Sequence, residues 1–294
     1  MGLSAPRVVD SHPAAGDRGI ARDANIELTF SDPMDTSATE AAYRSADLPV
    51  GGVDFSWSDG GRVLAIRPRE PLTYASGTSP VSLAARVYSV DLTADARDAT
   101  GRPLEPFTLS FSTAREIVVT FPIVPDATSS GKFRSDGTDG VGECATTEQT
   151  LCAGVGATTG NPSYRGFASF DIGSLPPERI GLSHAELNLG LSVLYGTPFA
   201  TLGPLLLESV RFDAVGASAF LAVPRGPVAT VTGLAALDDT ASVDVLSAVQ
   251  ADAADGTRSQ FRLRFTETAI DDIGPDLIGS NWPTVQLRVG YLIP

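Results

Sequence analysis

The sequence contains few of the residues that carry most enzyme chemistry. Histidine, cysteine and tryptophan each occur only twice among 294 residues. His12 lies in a turn and His184 begins an apolar run, and no His-Glu-x-x-His, Gly-x-Ser-x-Gly or phosphate-loop motif accompanies them. These shortages predict that the protein is not an enzyme.

Long apolar runs are absent as well. A membrane-spanning helix needs about 20 apolar residues, so the sequence predicts no membrane span. Residues 1–6 lack the basic start and the apolar middle of a secretion leader. If the protein is exported, we expect its leader to have been removed or replaced in this chain.

Positive charge is also scarce. Against 35 Asp and Glu there are 21 Lys and Arg, Lys132 is the lone lysine, and the formal net charge is −14. An acidic protein repels nucleic acid and anionic lipid, so we exclude both as partners. The simplest explanation of the surplus is solubility outside the cell.

Short alternating runs and turns are abundant. The 29 Gly and 21 Pro are spread along the chain, which is typical of many short strands. In residues 1–114, apolar residues alternate in 24–30, 81–87 and 107–111, and a hairpin is predicted around residues 58–61. About seven short strands without a long helix predict an immunoglobulin-like β-sandwich.

This first domain resembles the bacterial Ig-like domain of S-layer and other surface proteins. The matching phrases are residues 6–16, 26–34, 64–68 with Pro71 and Leu72, 98–101 with Leu104, and 111–113. The resemblance implies a spacer or stalk in an exported bacterial protein, without catalytic residues.

The second domain, residues 115–294, is built around the apolar stretch 164–172, which Pro176 and Pro177 end. Further alternating runs are 117–123, 185–193, 261–265 and 285–291, and Arg262 and Arg264 alternate with the apolar residues of one run. Helical spacing in 244–252 predicts one short surface helix that Gly256 ends. These runs predict an antiparallel β-sandwich of the jelly-roll type.

Residues 164–176, Ile180 and residues 183–189 of this domain resemble the core of the DNRLRE family. Residues 243–245, 260–265 and 283–291 are similar to its later strands. The resemblance implies a jelly-roll domain of a secreted protein, related to carbohydrate-binding modules. The tryptophan-rich middle of that family is missing, since residues 195–240 contain no tryptophan.

Three sets of residues are candidates for sites. Asp136, Asp139 and Glu143 place carboxylates in a Gly-rich loop, which suits Ca²⁺, and Asp126 and Asp171 could add oxygens. The alternative is a solvated polar turn. No other cofactor is predicted.

Cys144 and Cys152 lie in a polar stretch rich in Gly and Thr, and we predict a disulfide that closes this loop. A zinc site is not predicted, because no histidine lies near the pair. Exposed aromatic side chains bind sugars, and Tyr195, Phe199 and Trp282 stand in turn-like contexts that favour exposure.

These observations predict a non-catalytic structural or interaction module of a secreted bacterial surface or extracellular-matrix protein. Its partners would be other surface or matrix proteins, or further copies of itself. One alternative is a carbohydrate-binding protein that holds polysaccharide through its second domain. Another is a subunit of an extracellular filament, in which the final strand before Pro294 pairs with a neighbouring subunit.

Overall fold

The computed structural model describes residues 4–137, 149–155, 162–231, 239–267, 274–281 and 284–294. The chain divides into two compact units. The first comprises Met1–Ile117 and Leu292–Pro294, and the second comprises Val118–Tyr291. Each unit is built from β-strands with a few short helices.

The first unit contains eight strands and one short helix among its described residues. They are β1 (Val8–His12), β2 (Ile26–Phe30), α1 (Thr36–Ala41), β3 (Tyr43–Arg44), β4 (Val53–Ser58), β5 (Val63–Pro68), β6 (Ala75–Gly77), β7 (Val87–Leu92) and β8 (Phe107–Ser112). One antiparallel sheet has the order β1-β2-β5-β4, and a second has the order β3-β7-β8. This is the predicted immunoglobulin-like sandwich.

Alternation of apolar side chains explains how these strands build a core. Ile26, Leu28 and Phe30 of β2 are buried, and they join residues of both sheets in one apolar cluster. At the edge of the cluster, Trp57 stacks on Phe30 with 5.8 Å between ring centroids. The predicted hairpin is present, because β4 and β5 pair across a tight turn at Asp59–Gly61.

The strand predicted in residues 81–87 is wrong. Val81 is 94% exposed, and the strand of this region begins only at Val87. The guanidinium of Arg115 donates to the carbonyls of Pro80 and Leu83, each at 3.1 Å. Because a side chain satisfies these carbonyls, the segment can leave the sheet without burying unpaired backbone groups.

The second unit contains eleven strands and three helices among its described residues. They are β9 (Arg115–Pro122, which begins in the first unit), β10 (Gly131–Arg134), β11 (Gln149–Val155), β12 (Ser163–Asp171), β13 (Gly181–Tyr195), α2 (Pro198–Thr201), β14 (Leu205–Ser209), α3 (Ala217–Leu221), β15 (Ala229–Thr230), β16 (Asp239–Asp244), α4 (Leu246–Asp255), β17 (Arg258–Phe265), β18 (Asp276–Asn281) and β19 (Gln286–Ile293).

Strand β12 is an interior strand of the sheet of this unit, and it lies between β17 and β11. The hydrogen-bonded order is β15-β14-β17-β12-β11-β18-β13-β19-β9, with β10 also on β12 and β16 also on β13. Phe167 and Phe170 of β12 point to opposite faces of the sheet, and both are fully buried. The strand predicted at residues 164–172 is therefore confirmed, and it is covered on both faces.

The predicted surface helix is confirmed as α4, which contacts β13 and β17. The helix ends at Gly256, whose backbone N–H donates to the carbonyl of Asp252 at 2.8 Å. The filament hypothesis requires the final strand to have a free edge. In the structure, β19 is hydrogen-bonded to β13 on one side and to β9 on the other. A strand with two partners offers no free edge to a neighbouring subunit.

The predicted fold class is confirmed: the chain is all-β, with antiparallel sheets and an Ig-like domain first. Within the described ranges, no helix has the length and apolar character that crossing a membrane requires.

Candidate functional site

The predicted calcium loop is only partly described. Asp139 and Glu143 lie outside the described residues, whereas Asp136 follows β10. The carboxylate of Asp136 accepts from Nε of Arg134, at 3.0 Å to each oxygen, and forms an ion pair with the same guanidinium. Among the described residues, no group of three or more His, Cys, Asp and Glu could hold a metal. The calcium site stays a prediction.

The two further carboxylates considered for calcium close local turns instead. Asp126 accepts from the backbone N–H groups of Thr128 and Ser129 and from the Thr128 hydroxyl. These hydrogen bonds lower the pKa of Asp126 to about 2. Asp171 accepts from the backbone N–H of Gly173 at 3.0 Å. Each carboxylate thus has a structural role within its own turn.

The assignment of Cys152 to a polar loop is wrong. Cys152 lies in β11, opposite Gly279 of β18, and packs with Tyr164 and Leu277 in a small buried cluster. Cys152 is 1% exposed, so its side chain lies in the interior and not in a solvated loop. Cys144 lies outside the described residues, so the predicted disulfide stays a prediction.

The three aromatic candidates are not brought together as a sugar platform by the described residues. Tyr195 ends β13 and is 45% exposed. Phe199 packs its ring edge-on against Phe265, at 5.4 Å between centroids, and is partly buried. Trp282 lies outside the described residues.

The segment after Tyr195 is held down by a buried carboxylate. Asp276 is 2% exposed and accepts from the backbone N–H of Thr197 at 2.5 Å and from the hydroxyl of Thr201 at 2.6 Å. Gly196 lies against it with a φ of +67°, and a Cβ there would be 2.0 Å from a carboxylate oxygen of Asp276. The exposed side chain of Tyr195 therefore lies next to a turn that the hydrogen bonds of Asp276 hold in place.

A cavity of about 230 Å³ lies beside α4. Its walls are mostly apolar and include Leu207, Val228 and Phe261, with Arg225 among the polar residues. The guanidinium of Arg225 is already paired with Asp252 and Asp255 of α4. The volume of the cavity is below the roughly 300–1,000 Å³ of typical ligand pockets. The positive charge of Arg225 is already compensated by the two carboxylates of α4.

The strongest candidate is a cluster of charges on the face of the β12–β17–β14 sheet that carries Glu208 and Arg262. Arg262 and Arg264 of β17 and Glu208 of β14 lie on this face, because Arg262 pairs opposite Glu208 and alternate residues share a side. Arg165 of β12 lies on the same face, two residues from Phe167, which pairs opposite Arg262.

One carboxylate serves two of these arginines. Arg262 donates to Oε2 of Glu208 through Nε at 2.7 Å and Nη2 at 2.5 Å. Arg264 donates to Oε1 through Nε at 2.9 Å, and its Nη2 lies 2.8 Å from the same oxygen. Glu208 is fully buried and Arg262 is 3% exposed, so this pair depends on its mutual hydrogen bonds.

Helix α3 covers this cluster. Nη1 of Arg262 donates to the carbonyls of Ala219 and Phe220 at 3.2 and 2.8 Å. The last carbonyls of a helix lack partners within the helix, so a guanidinium beneath them fastens α3 to the sheet. Phe220 packs with Phe133 and Phe167 over the same face.

Arg165 has fewer partners than its neighbours. Its guanidinium carbon lies 4.0 Å from the centroid of the Phe220 ring, and its Nη1 donates to the Phe220 carbonyl. Its Nε is buried and has no hydrogen-bond partner within the described part of the chain. Burial, followed by the charges of Arg262 and Arg264, lowers the pKa of Arg165 to about 10, against the opposing effect of Glu208.

Sequence reasoning missed this cluster. The alternation of Arg262 and Arg264 with apolar residues predicts a strand, but it does not indicate that α3 covers the side that carries these two arginines. The available signal was Glu208, a carboxylate within the apolar run of residues 205–210. A charge in such a run is buried only with a partner, so it predicts an arginine or lysine on a neighbouring strand.

Comparison with known proteins assigns a family to the first unit. Residues 3–113 match the family model of the bacterial Ig-like domain. The fold and this match together define the class: the chain begins with a bacterial Ig-like domain. No curated protein matches the sequence.

Several solved structures are similar over parts of the chain. CopC from Methylosinus trichosporium OB3b is 18% identical over 37% of this chain and 92% of that chain, with a TM-score of 0.25. The N-terminal part of the bacterial S-layer protein SbsC is 11% identical over 58% and 42%, with a TM-score of 0.27. An L,D-transpeptidase from Mycobacterium smegmatis is 16% identical over 77% and 76%, with a TM-score of 0.27. At such low values, none of the three supports an argument about function.

Proposed function

We propose that the protein is a non-catalytic structural or interaction module of a secreted bacterial surface or extracellular-matrix protein. The observation that carries this proposal is the family match of residues 3–113 to the bacterial Ig-like domain. Residues 1–114 act as the Ig-like spacer, and residues 115–294 form a jelly-roll domain similar to the DNRLRE family. Other surface or matrix proteins are the partners.

The placement of the two histidines supports a role without catalysis. His12 is exposed on β1. His184 lies on β13, where its Nδ1 is 3.5 Å from the hydroxyl oxygen of Ser183. The imidazole also lies over Gly290, where an added Cβ would be 2.4 Å from the ring, so packing explains its position.

Protease treatment of intact producing cells tests this proposal. Peptides of this chain should be released from the cells under conditions that leave a cytoplasmic marker uncut. Release only after the cells are broken would contradict the surface location. Purified protein should also show no hydrolysis of common ester and glycoside substrates.

Carbohydrate binding through the second domain is the other candidate. The observation that favours it is Tyr195, an exposed ring beside the turn that Asp276 orders. A glycan array with the wild-type chain and the Tyr195→Ala variant tests it. Signals that the variant loses would support this function, and an array without signals would remove it.

Calcium binding belongs to the same proposal as an accessory feature of the loop that contains Asp136, Asp139 and Glu143. Titration calorimetry with Ca²⁺ is the direct test. Binding heat together with a higher melting temperature would support the site, and neither heat nor a temperature shift would remove it.

A further inference from the structure

The face of the β12–β17–β14 sheet beneath α3 carries a local surplus of positive charge on an acidic protein. Three guanidinium groups, Arg165, Arg262 and Arg264, lie near one carboxylate, Glu208. Among the described residues of this cluster, three positive charges thus stand against one negative charge, whereas the whole chain carries a net charge of −14. Such a contrast creates an attractive spot for an anion.

The unused hydrogen-bonding capacity is concentrated on Arg165. The donors of Arg262 and Arg264 are directed at Glu208 and at backbone carbonyls. On Arg165, Nη1 donates to the Phe220 carbonyl, and Nε is buried without a hydrogen-bond partner among the described residues. Nε lies inside the protein, so its missing acceptor leaves the charge of Arg165 only partly compensated, and an anionic partner at the surface would meet that charge.

Apolar side chains extend from the same spot. Phe220, whose ring lies under the Arg165 guanidinium, is followed by Leu221, which is 75% exposed, and Val223, which is 81% exposed. Two large aliphatic side chains at such exposure beside a charged fork suit a ligand that has both a carboxylate and apolar groups.

We propose that Arg165, Phe220, Leu221 and Val223 form a docking surface for an acidic peptide segment of another protein, whose carboxylate binds the Arg165 guanidinium. We call these four residues the Arg165 surface. The aliphatic side chains of the peptide cover Leu221 and Val223. The peptide carboxylate pairs with the positive charge of Arg165, and a contact between two charged groups is stronger than one between neutral groups.

A peptide fits the Arg165 surface better than the other occupants do. A sugar ring needs an open aromatic face, whereas the Phe220 ring is 8% exposed and lies under Arg165. A second copy of the chain is disfavoured, because each copy carries a net charge of −14 and the two repel each other. The proposal concerns a different place from Tyr195 and does not depend on the cellular location of the protein.

Selection from a display library of short random peptides on the full chain tests this proposal. The selected peptides should contain Asp or Glu next to Leu, Ile or Val. Replacing the acidic residue of a selected peptide by its amide should weaken binding about tenfold or more, since a charge-assisted hydrogen bond is lost. Selected peptides without acidic residues would overturn the proposal.

Two variants locate the binding. Arg165→Met keeps most of the side-chain volume and should weaken peptide binding about tenfold or more. Arg258→Met is the matched control, because Arg258 is an exposed arginine at the other end of β17, and it should leave binding unchanged. Equal affinities of wild type and Arg165→Met would contradict the proposed site.

The melting temperature separates docking from a structural role. Because Arg165 is an underpaired charge next to two other arginines, its replacement by Met should leave the melting temperature unchanged or raise it. A much lower melting temperature with unchanged peptide binding would show that Arg165 only supports the fold, and would overturn the proposal. Oligogalacturonate, an acidic sugar chain, is the other anion to be tested. If it binds the Arg165 surface more tightly than the selected peptides do, the proposal is also overturned.

Discussion

At the scale of single residues, Glu208 is the group on which the charged face of the second unit depends. Its carboxylate forms ion pairs with both Arg262 and Arg264, and it is fully buried. Burial raises its pKa, but hydrogen bonds and charges from Arg264 and Arg262 outweigh this effect and lower the pKa. Glu208 therefore stays charged at neutral pH and holds the arginines in place.

Replacement of Glu208 by Gln should destabilise the protein strongly. The change removes the negative charge and leaves the buried Arg262 guanidinium unpaired, which typically costs about 3–5 kcal/mol. Urea unfolding followed by fluorescence measures the difference. The control is Glu178→Gln in an exposed position, with an expected change within about 0.5 kcal/mol. Equal stability of the two variants would refute the importance of the pair.

Asp98 plays a comparable part in the first unit. It is 2% exposed and accepts from the backbone N–H groups of Thr100 and Arg102 and from the Arg102 guanidinium. Burial raises its pKa, but these hydrogen bonds outweigh burial and lower it to about 2. The turn at residues 98–101 is thus closed around a charged carboxylate.

The pH dependence of stability should reveal this carboxylate. Its folded pKa of about 2 lies below the usual value of about 3.9 for an unfolded chain. The contribution of Asp98 to the free energy of unfolding is therefore present above about pH 4 and is lost as the pH falls towards 2. The melting temperature of Asp98→Asn should be lower than that of wild type at neutral pH, and the difference should shrink over this window. A constant difference would contradict the account.

At the scale of elements, β11 shows how closely two strands approach each other. Gly154 has a φ of +138°, and a Cβ at this position would lie 2.0 Å from the carbonyl oxygen of Asp276 on β18. Both strands are paired there, since Gly154 is opposite Leu277. Neither backbone can move away without breaking the ladder.

Gly154→Ala should therefore lower the free energy of unfolding by about 1–3 kcal/mol or more, because the added methyl group clashes with a fixed carbonyl. Gly181→Ala is the matched control, since Gly181 begins β13 and has open space around its Cα. Its stability should stay within about 0.5 kcal/mol of wild type. Thermal denaturation of both variants measures the effects. Two equally stable variants would show that the strands are not packed as described.

Alternation of side chains allowed most strands to be predicted, because period-two burial depends only on local sequence. The runs that became β2, β8, β13 and β19 follow this rule. It failed where contacts distant in sequence decide the outcome. Arg262 is buried by a short helix rich in Ala and Ser, and Val81 leaves the sheet because Arg115 satisfies nearby carbonyls.

The candidate site could not be predicted for the same reason. Arg165, Glu208 and Arg262 are separated by more than forty residues each, and only strand pairing brings them together. The sites that were predicted came from residues close together in sequence, such as Asp136 with Asp139 and Glu143. Residues that are close in sequence can be recognised as a possible site within one loop. A site on the face of a sheet can be predicted only when the order of the strands is known.

At the scale of the whole molecule, the chain combines an Ig-like domain with a second antiparallel β unit and a strongly acidic composition. A high net charge of one sign keeps a protein soluble and resists self-association. A local cationic spot, such as the cluster at Arg165, then selects among partners. An acidic surface that limits self-association, combined with a local cationic cluster that attracts an anionic partner, suits the proposed interaction module.

Immunogold electron microscopy of the producing cells tests the proposed role most directly, with a deletion strain as the control for the antibody. The account predicts gold on the outer surface or in the material between cells, and none in the deletion strain. Gold confined to the cytoplasm would contradict the account.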